Sequence, residues 1–291
     1  MRKNFISICC IIMFMASTCF ANEPLTVKLW DTATPPTDNG IPAEMETIER
    51  PNWISNVATP ELFVFLSGKP DAPTLLMCPG GGYEGVAIQH EGTFLSTPLN
   101  EHGVNLAVLK YRMPNGNSGV PAEDVNRAFE ILKENASEWG INPDRIGIGG
   151  ASAGGHVAST VATHPELTDL KPAFQVLLYP VVSMKEGVTH QGSRLHLIGD
   201  NPTEELIDYY TNELHVTPQT PQAFIAVSGD DTGVPAKNSI DYFNALTANG
   251  VPVSLHVYPQ GGHGWGYRPG TTHSDVWMTE LLYWLDNLQL P

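Results

Sequence analysis

Along this chain, strand-length runs rich in apolar and β-branched residues alternate with stretches of helical periodicity. The runs cover 62–66, 74–78, 104–109, 145–150, 174–178, 223–227 and 253–258. Where such a run lacks regular polar alternation, it has the pattern of a strand buried on both faces. Helical spacing covers 94–102, closed by Gly103, and then a longer segment with Val125, Ala128, Phe129, Leu132 and Trp139. Pro121 and Glu123-Asp124 suit the first turn of that longer helix, and Gly140 its end. Further helices are expected after residue 152, through Val157, Ala158 and Val161, at 238–248, closed by Gly250, and at 275–288. Strands alternating with helices imply an α/β fold with a mostly parallel central sheet covered by helices on both faces. The turn residues Gly68-Lys69-Pro70-Asp71 suggest that the runs at 62–66 and 74–78 are a hairpin or neighbouring strands. Two stretches break the alternation. Residues 22–60, rich in Pro, Thr, Asn and Asp with one strand candidate at 25–30, read as an N-terminal extension laid over the domain at 61–291. Residues 183–219 are polar and carry His190, His196 and His215; they read as a small lid with one or two short helices, 204–210 among them.

The first residues change the picture of where the protein acts. Arg2-Lys3, an apolar run at 5–15 and the small-x-small site Cys19-Phe20-Ala21 form an export signal, cleaved after residue 21. The apolar run is shorter than the roughly 20 residues a membrane span needs. A lipoprotein with Cys19 as lipid acceptor is the weaker alternative, because Ala16-Ser17-Thr18 lacks the usual small residue just before the cysteine. Cleavage removes three of the four cysteines and leaves Cys78, so the exported chain has no internal disulfide and relies on its core. The balance of 15 Lys+Arg against 31 Asp+Glu, made more negative by cleavage, repels phosphate backbones and anionic membranes and argues against a nucleic-acid partner.

The chemistry centres on Gly150-Ala151-Ser152-Ala153-Gly154, a G-x-S-x-G at a strand-to-helix junction. There a serine occupies the tip of a strained turn, and a Cβ at either flanking glycine would collide with the neighbouring strand or helix. The same turn puts Ser152 at a helix N-terminus, whose unpaired amides favour developing negative charge. Earlier in the chain, Pro79-Gly80-Gly81-Gly82-Tyr83 directly follows a strand and can bring backbone N–H groups close to a ligand. Gly81 and Gly82, with Ala153, are the expected oxyanion-hole donors. Two glycine-marked loops then follow strands near the C-terminus: Gly229-Asp230-Asp231-Thr232-Gly233 and Gly261-Gly262-His263-Gly264. Ser, Asp, His is the chain order of the α/β-hydrolase triad, with His263 as general base and one of the two aspartates orienting it. The three lid histidines lack ligand spacing with a carboxylate partner, so no metal site is expected.

Taken together, the glycine loop with His90-Glu91-Gly92, Leu109-Lys110-Tyr111-Arg112, the Ser152 elbow, Asp231-Thr232-Gly233-Val234-Pro235 with Asn238-Ser239, and Gly261-Gly262-His263-Gly264-Trp265-Gly266 resemble the bacterial acetyl-xylan-esterase-like branch of the α/β-hydrolases. The resemblance covers about residues 55 to 288. It implies an exported serine esterase that removes acetyl groups from hemicellulose, without metal or cofactor, with Ser152 as nucleophile, His263 as base and an acetylated carbohydrate as partner. It favours Asp231 over Asp230, because the family's acid lies four positions before the proline, here Pro235. Gly233 replaces a bulkier residue in a loop one residue shorter than the common form, and Gly150-Ala151 replaces the commoner Gly-Phe, which widens the pocket floor. Tyr83 and Trp265 are expected as exposed aromatics near the site, stacking on sugar or forming a pocket wall. Other readings of the same residues are a feruloyl or bulkier-acyl esterase, a serine peptidase lacking the usual N-terminal propeller, and an inactive hydrolase fold that binds carbohydrate.

Overall fold

The computed structural model describes residues 23–288, apart from Thr32 and residues 168–170. The expected export signal lies outside the described residues. The strands are β1 (Leu25–Lys28), β2 (Thr47–Arg50), β3 (Trp53–Ser55), β4 (Glu61–Phe65), β5 (Ala72–Cys78), β6 (Gly85–Val86), β7 (Asn105–Lys110), β8 (Ile141–Ala151), β9 (Gln175–Leu178), β10 (Ala223–Ser228) and β11 (Val253–Tyr258). The helices are α1 (Ser96–Glu101), α2 (Val120–Glu134), α3 (Ala136–Trp139), α4 (Ser152–Thr163), α5 (Gln191–Ile198), α6 (Glu204–Tyr209), α7 (Lys237–Ala248) and α8 (Thr272–Asp286).

Among the described residues, eight strands form one sheet in the order β1-β4-β7-β5-β8-β9-β10-β11. From β7 through β11 every neighbouring pair is parallel, while β1 and β4 run antiparallel at one edge. Every residue of β7, β9 and β10 is buried, so both sheet faces are covered there. Helix α1 packs on β7, α4 on β8 and β9, α7 on β11 and α8 on β10.

The expectation that 62–66 and 74–78 are neighbours is corrected: β7 lies between β4 and β5. The six residues from 66 to 71 are ample to step across one intervening strand, since adjacent strands lie only about 4.8 Å apart. Helix α1 then carries the chain back so that β7 runs parallel to β5 and antiparallel to β4, filling that gap. The N-terminal segment contributes β1 to the main sheet and, through β2 and β3, forms a small antiparallel sheet with β6 just beyond the glycine loop.

Asp124, expected in the first turn of its helix, is fully buried. Its carboxylate accepts from the Arg112 backbone N–H at 2.8 Å, from the guanidinium at 2.8 Å and from Trp30 Nε1 at 2.8 Å. Burial pushes this carboxyl up, and the hydrogen bonds and charge of Arg112 pull it back. The pair ties the end of β7 to α2 and to the N-terminal segment.

Candidate active site

The turn expected to carry the nucleophile forms where β8 meets α4. Ser152 has φ 51°, a left-handed backbone that a serine adopts only under constraint. The constraint is steric: a Cβ at Gly150 would run into the Gly154 carbonyl, and one at Gly154 into the Cys78 carbonyl at the end of β5. The two glycines therefore allow strand, turn and helix to close at backbone contact, with the Ser152 side chain at the carboxyl end of the sheet, where open α/β sheets place their sites.

His263 lies in the loop after β11. Ser152 Oγ donates to His263 Nε2 at 2.8 Å, and His263 Nδ1 donates to Asp231 Oδ2 at 2.7 Å. An ionised carboxylate is an acceptor, so the second bond fixes the proton on Nδ1 and leaves Nε2 bare toward the serine. The other Asp231 oxygen, Oδ1, accepts from the backbone N–H of Gly233 at 2.9 Å and of Val234 at 2.8 Å. Asp230 instead accepts from Gly262 N at 2.8 Å and braces the histidine loop from outside. The structure thus brings Ser152, His263 and Asp231 into one chain of hydrogen bonds and separates Asp230 from it. The Tyr179 ring meets His263 edge to face, with centroids 4.9 Å apart.

The glycine loop lies against the elbow, and a Cβ at Gly80 would sit 2.8 Å from that of Ser152. Buried Glu91 holds this loop, accepting from Gly80 N at 2.8 Å and from the Tyr179 hydroxyl at 2.7 Å. Tyr179 in turn accepts from Gly266 N at 2.9 Å, so one carboxylate links the glycine loop to the histidine loop. Sequence reasoning gave Glu91 and Tyr179 no role of their own. The signal available was a Glu beside a Gly shortly after the glycine loop, a position in which an ionised side chain is kept only when paired. The amides of Gly81 and Gly82 donate to no protein acceptor among the described residues, and Ala153 N lies in the first turn of α4, where amides lack a partner within the helix.

Tyr83 and Trp265 require a correction. Tyr83 is 3% exposed and Trp265 8% exposed, so neither is an open stacking surface. Trp265 donates to Ser228 Oγ at 3.0 Å and packs edge-on against Tyr179. The Tyr83 hydroxyl donates to His156 Nδ1 at 2.8 Å, and His156 Nε2 donates to the Tyr210 carbonyl at 2.8 Å. An aromatic among glycines looks exposed in sequence, but both rings point inward and lock their loops to the core.

Burial pushes the His156 imidazole down to about 4. In the unfolded chain a histidine titrates near about 6.5. Between these values the unfolded state binds more protons, so this contribution to stability is complete above pH ~6.5 and is lost as pH falls toward ~4, by on the order of 3 kcal/mol. Denaturant titrations at pH 7 and pH 4.5 should show a smaller acid loss for His156→Gln than for wild type. Equal losses would remove His156 from the acid sensitivity.

The segment expected as a lid carries α5, α6 and a short turn of 3-10 helix at Asn212–His215. Its histidines are spoken for separately: His190 caps α5 by accepting from Ser193 N, His196 Nδ1 donates to the Gly82 carbonyl at 2.8 Å, and His215 Nε2 donates to the Asp208 carbonyl. Helix α5 therefore rests on the glycine loop. Among the described residues no helix is long and apolar enough to cross a membrane.

A nucleophile elbow, an acid-oriented histidine and a glycine loop at the carboxyl ends of a parallel sheet are the marks of the α/β-hydrolases. Residues 75–266 match the family model described as alpha/beta hydrolase fold, and the chain belongs to that family. Among curated proteins, it is 35% identical over 242 residues to an acetylxylan esterase of Xylanibacter ruminicola, an alignment covering 82% of this chain and 50% of that protein. It is also 35% identical over 222 residues to endo-1,4-beta-xylanase B of Butyrivibrio fibrisolvens, covering 70% of this chain and 34% of that one. The chain thus spans half and about a third of the length of these relatives. The crystal structure of an acetyl ester-xyloside bifunctional hydrolase from Caldicellulosiruptor lactoaceticus superposes with a TM-score of 0.76 at 31% identity, covering 93% of this chain and 98% of that one.

Proposed function

We propose that this protein is an exported serine esterase that removes acetyl groups from hemicellulose, acetylated xylan or its oligosaccharides, through an acyl-enzyme. The observation that carries the reading is the Ser152–His263–Asp231 hydrogen-bond chain, in a fold shared with an acetylxylan esterase and an acetyl ester-xyloside hydrolase. Ser152 Oγ attacks the acetyl carbonyl while His263 Nε2 takes its proton, and Asp231 stabilises the imidazolium. The oxyanion is held by the amides of Gly81, Gly82 and Ala153. His263 then protonates the departing sugar oxygen, leaving acetyl on Ser152. In the second half it takes a proton from water, whose oxygen attacks the acetyl carbon; collapse releases acetate and returns the proton to Ser152. Residues 61–291 form the catalytic unit in this reading, and 22–60 an extension laid against it. Placement in the periplasm or outside the cell rests on the basic start, the short apolar run and the small-x-small site at 1–21.

The test is acetate release from acetylated xylo-oligosaccharides, beside 4-nitrophenyl acetate and a feruloyl ester, with Ser152→Ala as the blank. Ser152-dependent acetate from the sugar, with rate falling steeply beyond two or three acyl carbons, is the expected result. Turnover of the feruloyl ester in preference to the acetyl sugar would move the substrate to bulkier acyl groups. No Ser152-dependent turnover of any ester would overturn the enzyme reading.

A further inference from the structure

Beside the glycine loop lies a cavity of about 460 Å³, within the range of about 300–1,000 Å³ usual for small-molecule sites. Its wall begins at Tyr83, next to the Gly82 amide expected to hold the oxyanion, and it is built by three separate parts of the chain. The N-terminal segment supplies Asn56, the turn after β7 supplies Met113 and Asn115, and helix α5 with the residues after it supplies Leu195, His196 and Asp200.

The chemistry of this wall is specific. The side-chain amide of Asn56 and the carboxylates of Glu84 and Asp200 have no hydrogen-bond or ion-pair partner among the described residues. Asn115 Nδ2 donates to the Asn39 carbonyl, which leaves its Oδ1 unused. His196 Nδ1 carries the proton given to the Gly82 carbonyl, so in the neutral ring Nε2 is an acceptor. Glu84, Asn115 and Asp200 are exposed and face solvent, so the cavity offers more acceptors than donors, with Asn56 supplying both, and suits a ligand such as a sugar whose hydroxyls can donate and accept. Among the described residues no Lys or Arg lines it, and two carboxylates do, which disfavours an anion. Leu195, 44% exposed, adds an apolar surface of the kind that covers the C–H face of a sugar ring.

The backbone adds an independent observation. Among the described residues, six that are not glycine have left-handed φ. Three of them, Asn56 (53°), Tyr83 (62°) and Asn115 (44°), line this one cavity, and Ser152 and Tyr179 belong to the catalytic centre. Such conformations persist where the surrounding structure enforces them, and they cluster at active sites and ligand clamps.

We propose that this cavity is the subsite for the neutral, hydroxyl-bearing sugar units of the leaving chain, set by Asn56, Glu84, Asn115, His196 and Asp200 one residue away from the oxyanion loop. This rests on the esterase reading for its position in the reaction. It makes uncharged xylosyl units the preferred neighbours of the acetylated residue and uronic-acid side chains disfavoured, because Glu84 and Asp200 repel them. The hydrogen bond from His196 to Gly82 joins the subsite to the loop that supplies the oxyanion amides.

Two variants probe it. Leu195→Trp fills the cavity from an exposed position, and Asp200→Lys reverses an exposed charge on its rim. The readout is the ratio of kcat/KM on acetylated xylotetraose to kcat/KM on 4-nitrophenyl acetate, which has no sugar to place. Leu195→Trp should lower this ratio at least tenfold, and Asp200→Lys should lower it while raising relative activity on an acetylated oligosaccharide bearing a uronic acid. A ratio unchanged in both variants, or both substrates falling by the same factor, would overturn the assignment. Binding of unacetylated xylotetraose to Ser152→Ala, followed by calorimetry, separates the two readings. If wild type releases no acetate from sugar, yet the oligosaccharide binds and Leu195→Trp abolishes that binding, the function fails and the subsite stands. Binding that survives Leu195→Trp sinks the subsite.

Discussion

Asp231→Asn is expected to lower kcat by about 10⁴-fold, the usual result of replacing a triad acid by its amide, whereas Asp230→Asn should cost no more than a few-fold. The difference follows from what each carboxylate holds. Asp231 Oδ1 is pinned by the backbone N–H groups of Gly233 and Val234, so an asparagine there keeps its oxygen on those amides and turns its NH₂ toward His263. The imidazole must then accept at Nδ1 and carry its proton on Nε2, facing Ser152, where it cannot take the serine proton. At Asp230 an asparagine oxygen still accepts from Gly262 N, and no tautomer changes. Steady-state kinetics on 4-nitrophenyl acetate with both variants decides the matter. Comparable losses would mean that the two aspartates share the role.

Asp124→Ala is expected to cost about 3–5 kcal/mol of stability, because it leaves the buried Arg112 guanidinium with only the long, partly exposed ion pair to Glu123 as counter-charge. Arg112 is 2% exposed and Asp124 fully buried, and the remaining Arg112 contacts are a bond to the Thr37 carbonyl at 2.6 Å, a long one to Glu123 and the Trp30 ring, 5.8 Å from the guanidinium carbon. Trp30 Nε1 loses its acceptor as well. For a domain of this size the melting temperature should fall by roughly 10 °C. Thermal unfolding followed by circular dichroism measures it, with Arg112→Met/Asp124→Leu as the control that removes both charges and should recover much of the loss. A drop below about 1 kcal/mol for Asp124→Ala would mean that the pair holds nothing together.

The parts of the site that were legible in the sequence are those that sterics or proton chemistry force onto the residue types. The elbow needs Gly150 and Gly154 because backbone occupies the space a Cβ would fill, and Ser152, His263 and an aspartate announce themselves by order and by their place after strands, while the choice of Asp231 over Asp230 came from the family resemblance. The order of strands was less legible. Nothing in the run at 62–66 says that β7 will enter between it and β5, because adjacency is decided by where α1 returns the chain. Burial of polar and aromatic groups was the other blind spot. Asp124 satisfies the rules for a helix start and Tyr83 those for an exposed loop; the partners that draw them inward, Arg112 and His156, meet them only in three dimensions.

The sheet order also has a consequence for how the protein comes together. The glycine loop and elbow rise from the paired central strands β5 and β8, while Asp231 and His263 hang from β10 and β11, at the far margin of the sheet. More than a hundred residues separate Ser152 from the histidine it bonds, and parallel pairing across such spans carries a heavy loop-closure entropy and is slow to form. A folding intermediate with β1 through β9 in place would possess a native core and a correctly bent elbow, yet no proton acceptor for its serine. Ser152 therefore has its hydrogen-bond acceptor only in a chain whose β10 and β11 are paired onto β9, so any state that lacks this C-terminal margin keeps the elbow and lacks the proton acceptor.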